Sequence, residues 1–203
     1  MNITLFTENI YKVKTKLPHK DILEQIKKVS WTKVPPQINY PSYNTNQLIS
    51  HNNLLETMSL GKEIKETIDA HCMAAKQSFG YDQQSRMATS WANCIKPKNI
   101  SEFHVHKNFW LSAVYYPHGT KQDHFSIVFK KNDPQYFDVI KSIDTTSNNN
   151  MCSVEVVEGD LIIFPSYLQH KIGYNSTNSN RYSIACNYIP VGTYGHSDGQ
   201  INC

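Results

Sequence analysis

Three histidines in this chain combine a residue type and a spacing that could bind a metal. His104 and His106 stand one residue apart in FHVHKNFWLSAVYYP (103–117), a segment that otherwise has the apolar character of a buried strand. Residues i and i+2 of a strand share a face, so the two imidazoles would project together. His170 follows another apolar segment, GDLIIFPSYLQH. Because a buried imidazole without a partner costs about 1–3 kcal/mol, either hydrogen bonds at a strand end or a metal must satisfy them, and the shared face favours the metal.

An arginine marks a second candidate site. The chain has only two arginines, Arg86 and Arg181, among its 20 basic residues. Arg181 begins the apolar segment RYSIACNYI, in which Ser183 would share its face. A guanidinium is a planar fork that binds a carboxylate through two hydrogen bonds. An arginine on an apolar strand therefore predicts an anionic ligand.

The elements that must position these residues change character along the chain. Apolar spacing predicts one helix after Pro18, over residues 22–29, and a second along 60–79, with Gly80 at its end. An extended segment is predicted over 3–17 and a long loop over 32–53. From residue 86 onward the hydrophobic period is two, in the segments RMATSWANCI, FWLSAVYY, HFSIVF, CSVEVV, DLIIF and YSIACNYI. This order predicts an antiparallel jelly roll with helices packed outside it.

Composition limits the possible classes of function. The formal net charge is +3 and no run of like charges occurs, which argues against nucleic acid as a partner. The sequence contains no stretch of 18 apolar residues, so no membrane span is predicted. The five cysteines are scattered and odd in number, so we expect reduced thiols in a cytoplasmic protein.

The length and the absence of a linker predict a single domain over 1–203. Within it, 1–85 would supply a strand and helices that pack on the barrel, 86–190 the barrel, and 191–203 a tail.

Four motifs together resemble a known superfamily. HVH before an AVYY strand, then GDLIIFPSYLQH, then RYSIACN, with SWAN at 90–93, resemble the 2-oxoglutarate and Fe(II)-dependent oxygenases over about residues 86–190. The likeness is greatest to the small oxygenases of this type from bacteria and tailed phages. It implies a mainly β fold with flanking helices, the double-stranded β-helix, which is a cupin-like jelly roll open at one end.

The resemblance also implies an Fe(II) site, from which this chain departs at one ligand. The family holds its metal with a His-x-Asp/Glu pair and a distant histidine. In this chain His106 occupies the position at which the family has Asp or Glu. We therefore predict a three-imidazole site of His104, His106 and His170, in which a bound dianionic oxo acid offsets the metal's charge. Glu102 shares the face of the pair if the strand is straight, so it is the alternative carboxylate ligand.

The family's cosubstrate, 2-oxoglutarate, is bound by an arginine about ten residues after the distal histidine, and Arg181 fits that relation. Ser183, Tyr116 and Asn93 are predicted to assist it. Tyr116 has the parity of His106 and should face the site. For Asn93, a core amide satisfied by the backbone is an equal alternative.

The predicted function is an oxygenase that couples oxidative decarboxylation of 2-oxoglutarate by O2 to hydroxylation of an unidentified second substrate. A cupin-type three-His metal enzyme without 2-oxoglutarate is one alternative, and a non-catalytic jelly-roll binding or virion-associated module is another. Arg181 with Ser183 favours the first function, because a cupin-type enzyme would not need an anion-binding pair at that spacing.

Overall fold

Two main antiparallel sheets, a two-stranded hairpin and three α-helices build the part of the chain that the computed structural model describes, residues 7–33, 47–131, 142–143, 145 and 148–202. The helices are α1 (His19–Lys27), α2 (Leu54–Thr57) and α3 (Gly61–Ser78). The strands are β1 (Tyr11–Lys14), β2 (Thr32–Lys33), β3 (Gln47–Ile49), β4 (Ser85–Ile95), β5 (Leu111–Tyr115), β6 (Ser126–Lys130), β7 (Met151–Glu155), β8 (Asp160–Pro165), β9 (Gln169–Ile172), β10 (Arg181–Pro190), β11 (Thr193–Tyr194) and β12 (Ile201–Asn202).

The larger sheet has seven strands in the order β1-β8-β5-β10-β4-β3-β2, and the smaller has three in the order β7-β6-β9. Strand pairs within both sheets are antiparallel. Neighbours in each sheet are mostly distant in sequence, as in a jelly roll. The predicted mainly β fold with flanking helices is confirmed.

The outer face of the larger sheet is covered by the helices. The apolar stripe of α3, including Ile64 and Ile68, packs with outward-facing residues such as Ile163 of β8 and Ile184 of β10 in one buried cluster. Gly80 follows α3 with φ +83°, a conformation that glycine adopts without steric cost, and so allows the chain to turn away. Helix burial thus closes one side of the sheet.

The inner face of the larger sheet packs against the smaller sheet. Val114 of β5, Ile162 and Phe164 of β8, and Ile127 and Phe129 of β6 form a second apolar cluster. Side chains alternate between the two clusters along each strand, as the period of two requires. Polar residues on this inner face therefore lie in a largely apolar space between the sheets.

Several predicted boundaries differ from the structure. The segment before β5 is not strand: Asn108 has φ +68°, and His104 forms only an isolated bridge to His170. β9 was not predicted, because its inward residue is itself a histidine and the segment QHKI shows no apolar alternation.

Three other segments also depart from the predicted layout. The predicted loop over 32–53 contains β2, β3 and an isolated β-bridge at Asn53, just before α2. Residues 34–46 lie outside the described residues. The extended segment predicted over 3–17 is a strand at 11–14, and 1–6 lie outside the described residues. Within 191–203, β11 and β12 form a hairpin.

Among the described residues, no helix combines the length and the apolarity needed to cross a bilayer.

Candidate active site

The three predicted metal ligands come together at one end of the space between the sheets. Ring nitrogens of His104, His106 and His170 all lie within 4.8 Å of one another. Backbone hydrogen bonds fix this arrangement, because the N–H of His104 donates to the carbonyl of His170 and the reverse, both at 3.0 Å. The N–H of His106 donates to the carbonyl of Ser166, also at 3.0 Å. Two chain segments about 60 residues apart are thereby held side by side.

The rings of His104 and His170 are oriented by their own backbone. Nδ1–H of His104 donates to the carbonyl of Glu102 at 2.9 Å, and that of His170 donates to the carbonyl of Leu168 at 2.8 Å. A carbonyl only accepts, so each Nδ1 carries the proton and each Nε2 keeps a free lone pair. This is the protonation pattern of metal-binding histidines.

His106 is oriented by side chains instead. Its Nδ1 lies 2.6 Å from Oδ1 of Asn187 and 2.9 Å from the hydroxyl of Ser112. Ser112 also contacts Oδ1 of Asn187 at 3.0 Å and the hydroxyl of Ser166 at 2.8 Å. All three of these partners are buried.

Burial keeps the three imidazoles neutral. It lowers the pKa of His104, and with the neighbouring imidazoles it lowers the pKa of His106 to about 4 and that of His170 to about 2. The three rings therefore present lone pairs, not protons, at neutral pH. A divalent cation binds such a set without displacing protons.

Aromatic rings enclose the histidines on one side. Phe164 packs edge-on to His170 with ring centroids 4.7 Å apart, and Phe129 lies 6.3 Å from the same ring. Trp91 lies 5.4 Å from His106. These rings make one side of the site apolar, and electrostatic interactions are stronger in apolar surroundings than in water.

Arg181 lies on the inner face of the larger sheet, with only 2% of its surface exposed. Its guanidinium sits between the rings of Tyr116 and Phe125, 5.5 and 4.9 Å from their centroids. Nη1–H donates a long bond of 3.4 Å to the carbonyl of Gly173. Nη2 is the single buried side-chain nitrogen or oxygen of the described residues that has no partner. A buried cation with a spare donor is suited to an anionic ligand.

Two predicted helpers lie beside this guanidinium. Tyr116 is buried, and burial raises the pKa of its hydroxyl to about 12, so the hydroxyl keeps its proton and can donate. Ser183 is two residues from Arg181 on β10 and is also buried. Tyr115 points the other way, into the outer cluster, as its parity requires.

Asn93 is neither a free site amide nor a core amide satisfied by the backbone. Its Oδ1 accepts from the indole N–H of Trp91 at 3.1 Å and from the amide of Gln47 at 2.9 Å. Its Nδ2 therefore faces Ser183, at the long distance of 3.5 Å. The structure thus places Asn93 with Ser183 on the inner face, with its nitrogen directed to the site.

Glu102 was predicted as the alternative carboxylate ligand, whereas two residues that contact His106 were not predicted. Glu102 enters the site through its backbone carbonyl, and its carboxylate is not part of the histidine cluster. Asn187 and Ser112, which contact His106, were missed. Asn187 has the parity of Arg181 and Ser183 along β10, and that parity was the signal that could have identified it.

Comparison with known protein families decides the family of this site. Residues 89–187, which include all three histidines and Arg181, match the model of the family described as "Putative 2OG-Fe(II) oxygenase". This match makes just under half of the chain similar to the 2OG-Fe(II) oxygenases. The resemblance predicted from HVH, the distal histidine and RYSIACN is thereby confirmed. No curated protein sequence matches this chain significantly.

Solved structures share the fold of this chain at low identity. HygX from Streptomyces hygroscopicus, with nickel and 2-oxoglutarate bound, is 11% identical with a TM-score of 0.61, over 91% of this chain and 84% of that one. A Pseudomonas putida prolyl-4-hydroxylase is 14% identical with a TM-score of 0.60, over 90% and 93%. The carbocyclase SnoK from nogalamycin biosynthesis is 12% identical with a TM-score of 0.66, over 95% and 85%. These likenesses confirm the double-stranded β-helix fold.

Proposed function

We propose that this chain is a 2-oxoglutarate-dependent oxygenase in which His104, His106 and His170 hold Fe(II) and Arg181 holds the far carboxylate of 2-oxoglutarate. The observation that carries the proposal is the unpaired Nη2 of Arg181, buried on the inner face of the larger sheet, opposite the smaller sheet that carries His170 of the three converging imidazoles. A metal site and an anion site between the same two sheets match the two things that this family uses. O2 is the other cosubstrate of the family.

The donor set fits a divalent first-row metal. Three imidazoles with Nδ1 engaged offer three Nε2 lone pairs within a small space, and imidazole suits iron as well as zinc, copper and nickel. Fe(II), when bound, would supply the reduction of O2 that is coupled to oxidative decarboxylation of 2-oxoglutarate and hydroxylation of a second substrate.

Charge balance explains why an anionic cosubstrate suits this variant of the site. The ligands are all neutral, so a bound divalent cation and the buried guanidinium of Arg181 would together carry three positive charges between the sheets. A dianionic oxo acid would offset most of that charge. The family's carboxylate ligand would have contributed a negative charge that His106 does not.

The residues around Arg181 would orient the cosubstrate. Arg181 can donate two parallel hydrogen bonds to a carboxylate, and Nη2 is free to do so. The hydroxyls of Tyr116 and Ser183 and the Nδ2 of Asn93 are further donors on the same face. Trp91 and Gln47 hold Asn93 so that its nitrogen, not its oxygen, faces the site.

The second substrate is not identified by the fold. The similar structures are named as a prolyl-4-hydroxylase, an epimerase and a carbocyclase, so one architecture serves several reactions. We propose hydroxylation as the reaction and the cytoplasm as the location, the host's cytoplasm if the chain is phage-encoded. The four described cysteines are unpaired, which is consistent with a reducing compartment.

An anaerobic titration of Fe(II)-loaded protein with 2-oxoglutarate, followed by its visible charge-transfer band, tests this function. We expect saturable binding to the wild type and about 10- to 100-fold weaker binding to Arg181→Ala, because a charge-assisted hydrogen bond contributes roughly 1.5–3 kcal/mol. Arg181→Lys should fall between the two, because it keeps the charge and loses the fork. Arg86, which is exposed, gives the matched control Arg86→Ala, with wild-type binding.

Two results would refute the proposal, each in favour of one alternative. Wild-type affinity in Arg181→Ala would leave a cupin-type three-His metal enzyme that does not use 2-oxoglutarate. No binding to the wild type at millimolar 2-oxoglutarate would favour a non-catalytic jelly-roll module.

A further inference from the structure

His106 differs from the other two histidines in how its ring is held. His104 and His170 each donate Nδ1–H to a carbonyl two residues back in their own backbone. The acceptors for His106 are instead side chains of two other strands, Asn187 on β10 and Ser112 on β5. A backbone carbonyl is present whatever the sequence, whereas a side-chain acceptor depends on the residue at that position.

We propose that Asn187 is a positioning residue that fixes the tautomer of His106, so that Nε2 of His106 is available to the metal. This inference rests on the three-histidine site proposed above. Its Oδ1 lies 2.6 Å from Nδ1 of His106, the shortest hydrogen bond that any of the three rings makes.

The partner chemistry explains why Asn187, and not Ser112, would set the tautomer. A hydroxyl can donate or accept, so Ser112 alone would also permit a ring protonated on Nε2, with the hydroxyl donating to Nδ1. An amide oxygen can only accept, so Oδ1 of Asn187 requires the proton to be on Nδ1. The hydroxyl of Ser112 then donates to the same Oδ1, at 3.0 Å.

The register of the sheet fixes the orientation of Asn187. Asn187 pairs with Ser112 on one side and with Thr89 of β4 on the other. Its Nδ2–H donates to Oγ1 of Thr89 at 3.1 Å, which turns Oδ1 towards His106. Ser112 is further linked to Ser166, whose carbonyl accepts the backbone N–H of His106. Asn187 is only 4% exposed, so these bonds are shielded from water.

The identity of His106 explains why such a partner is needed at this position. A carboxylate offers lone pairs on both oxygens, so it can bind a metal whichever oxygen is engaged elsewhere. A neutral imidazole offers only one, on the nitrogen that lacks the proton. Where a histidine stands at the family's carboxylate position, a second residue must therefore set the tautomer.

Two measurements on Asn187→Leu and Asn187→Asp test the inference. In metal-free, 15N-histidine-labelled protein, the ring of His106 should be protonated on Nδ1 in the wild type and in Asn187→Asp, which keeps an acceptor. Asn187→Leu should populate the Nε2–H form. Its Fe(II) affinity, measured anaerobically against a chromophoric chelator, should fall about 10- to 100-fold, with Asn187→Asp restoring it to within about threefold of wild type.

Ser112→Ala separates the two partners of the ring, because it removes the hydroxyl from the network and leaves the amide. It should keep the Nδ1–H tautomer and weaken Fe(II) binding less than Asn187→Leu does. The inference is wrong if wild-type His106 carries its proton on Nε2, a measurement that needs no variant to fold. It is equally wrong if Asn187→Leu weakens Fe(II) binding without changing the tautomer. A wild type that binds no Fe(II) would refute the three-histidine site itself, a separate result.

Discussion

The two faces of β10 show how differently one strand serves folding and function. Towards the helices it presents Ile184, Cys186 and Tyr188, all at most 1% exposed and part of the outer apolar cluster. Towards the smaller sheet it presents Arg181 and Asn187, which are equally buried and polar. The two sets of side chains are about equally buried. Burial stabilises the fold only for the apolar side chains on the outer face.

The difference teaches where stability comes from in this fold. Burying an aliphatic side chain contributes about 1.5–3 kcal/mol, so the outer face stabilises the sheet. Burying a guanidinium with an unpaired Nη2 costs free energy, because its hydration is not replaced. The polar residues on the inner face of β10 are therefore maintained at the expense of stability, as is common at functional sites.

The largest expected effect is on metal binding at the inner face. His170→Ala should weaken Fe(II) binding by at least about a hundredfold, because it removes one of three ligands. This loss should exceed that of Asn187→Leu, which removes only a hydrogen-bond partner of a ligand. Elemental analysis and chelator competition would measure this. His196→Ala, at an exposed histidine, is the matched control and should bind like the wild type.

Glu102→Gln separates the two versions of the metal site. It should retain wild-type Fe(II) affinity, because Glu102 contributes its backbone carbonyl, which the substitution leaves in place. Loss of Fe(II) in Glu102→Gln together with retention in His106→Ala would establish the carboxylate version instead.

On the outer face, Ile184→Ala should lower the free energy of unfolding by about 2–5 kcal/mol, because it leaves a cavity in the helix-covered cluster. Urea denaturation of the metal-free protein measures the change, and Fe(II) affinity of the folded variant should stay within about twofold. Ile201→Ala, at a half-exposed isoleucine, should change neither. A large loss of metal affinity in Ile184→Ala would show that the two faces are not independent.

On the inner face, Arg181→Met should act in the opposite direction on stability. Replacing the buried guanidinium with an apolar side chain of similar length should raise the free energy of unfolding of the metal-free protein by about 1 kcal/mol or more. The variant should lose most of the added stabilisation that 2-oxoglutarate gives the Fe(II)-loaded wild type, and it should keep the stabilisation from Fe(II) alone. A variant less stable than the wild type would mean that Arg181 is a structural residue.

The smallest expected effect is the contribution of one site histidine to the pH dependence of stability. The pKa of His106 is lowered to about 4 in the folded protein, so below about pH 6.5 the unfolded chain takes up a proton that the folded protein does not. The contribution of His106 to the free energy of unfolding is therefore fully present above about pH 6.5 and is lost as the pH falls towards 4. His106→Gln should reduce the slope of unfolding free energy against pH in that window by about 1 kcal/mol per unit or less.

Unfolding curves in urea across that window, on metal-free protein, would measure the two slopes. Equal slopes in the wild type and His106→Gln would contradict the burial of His106 as the cause of its low pKa.

The sequence alone predicted the strands from residue 86 onward, by their hydrophobic period of two, and the helix that ends before Gly80. It also identified the candidate binding residues His104, His106, His170 and Arg181. These could be predicted because alternation and helical spacing are local, and because the resemblance lies in short motifs with a fixed order. Parity correctly placed Tyr116 inside and Tyr115 outside.

Only the tertiary structure decided how the site is held together. The partner of His106 is Asn187, 81 residues away, and the register of β10 against β5 and β4, with its irregularity after Asn187, brings the two together. The same is true of Asn93, whose orientation depends on Gln47 of another strand. Spacing along the chain determines which face a side chain occupies, but a hydrogen bond depends on distance and direction to a specific neighbour, and pairing between distant strands sets both.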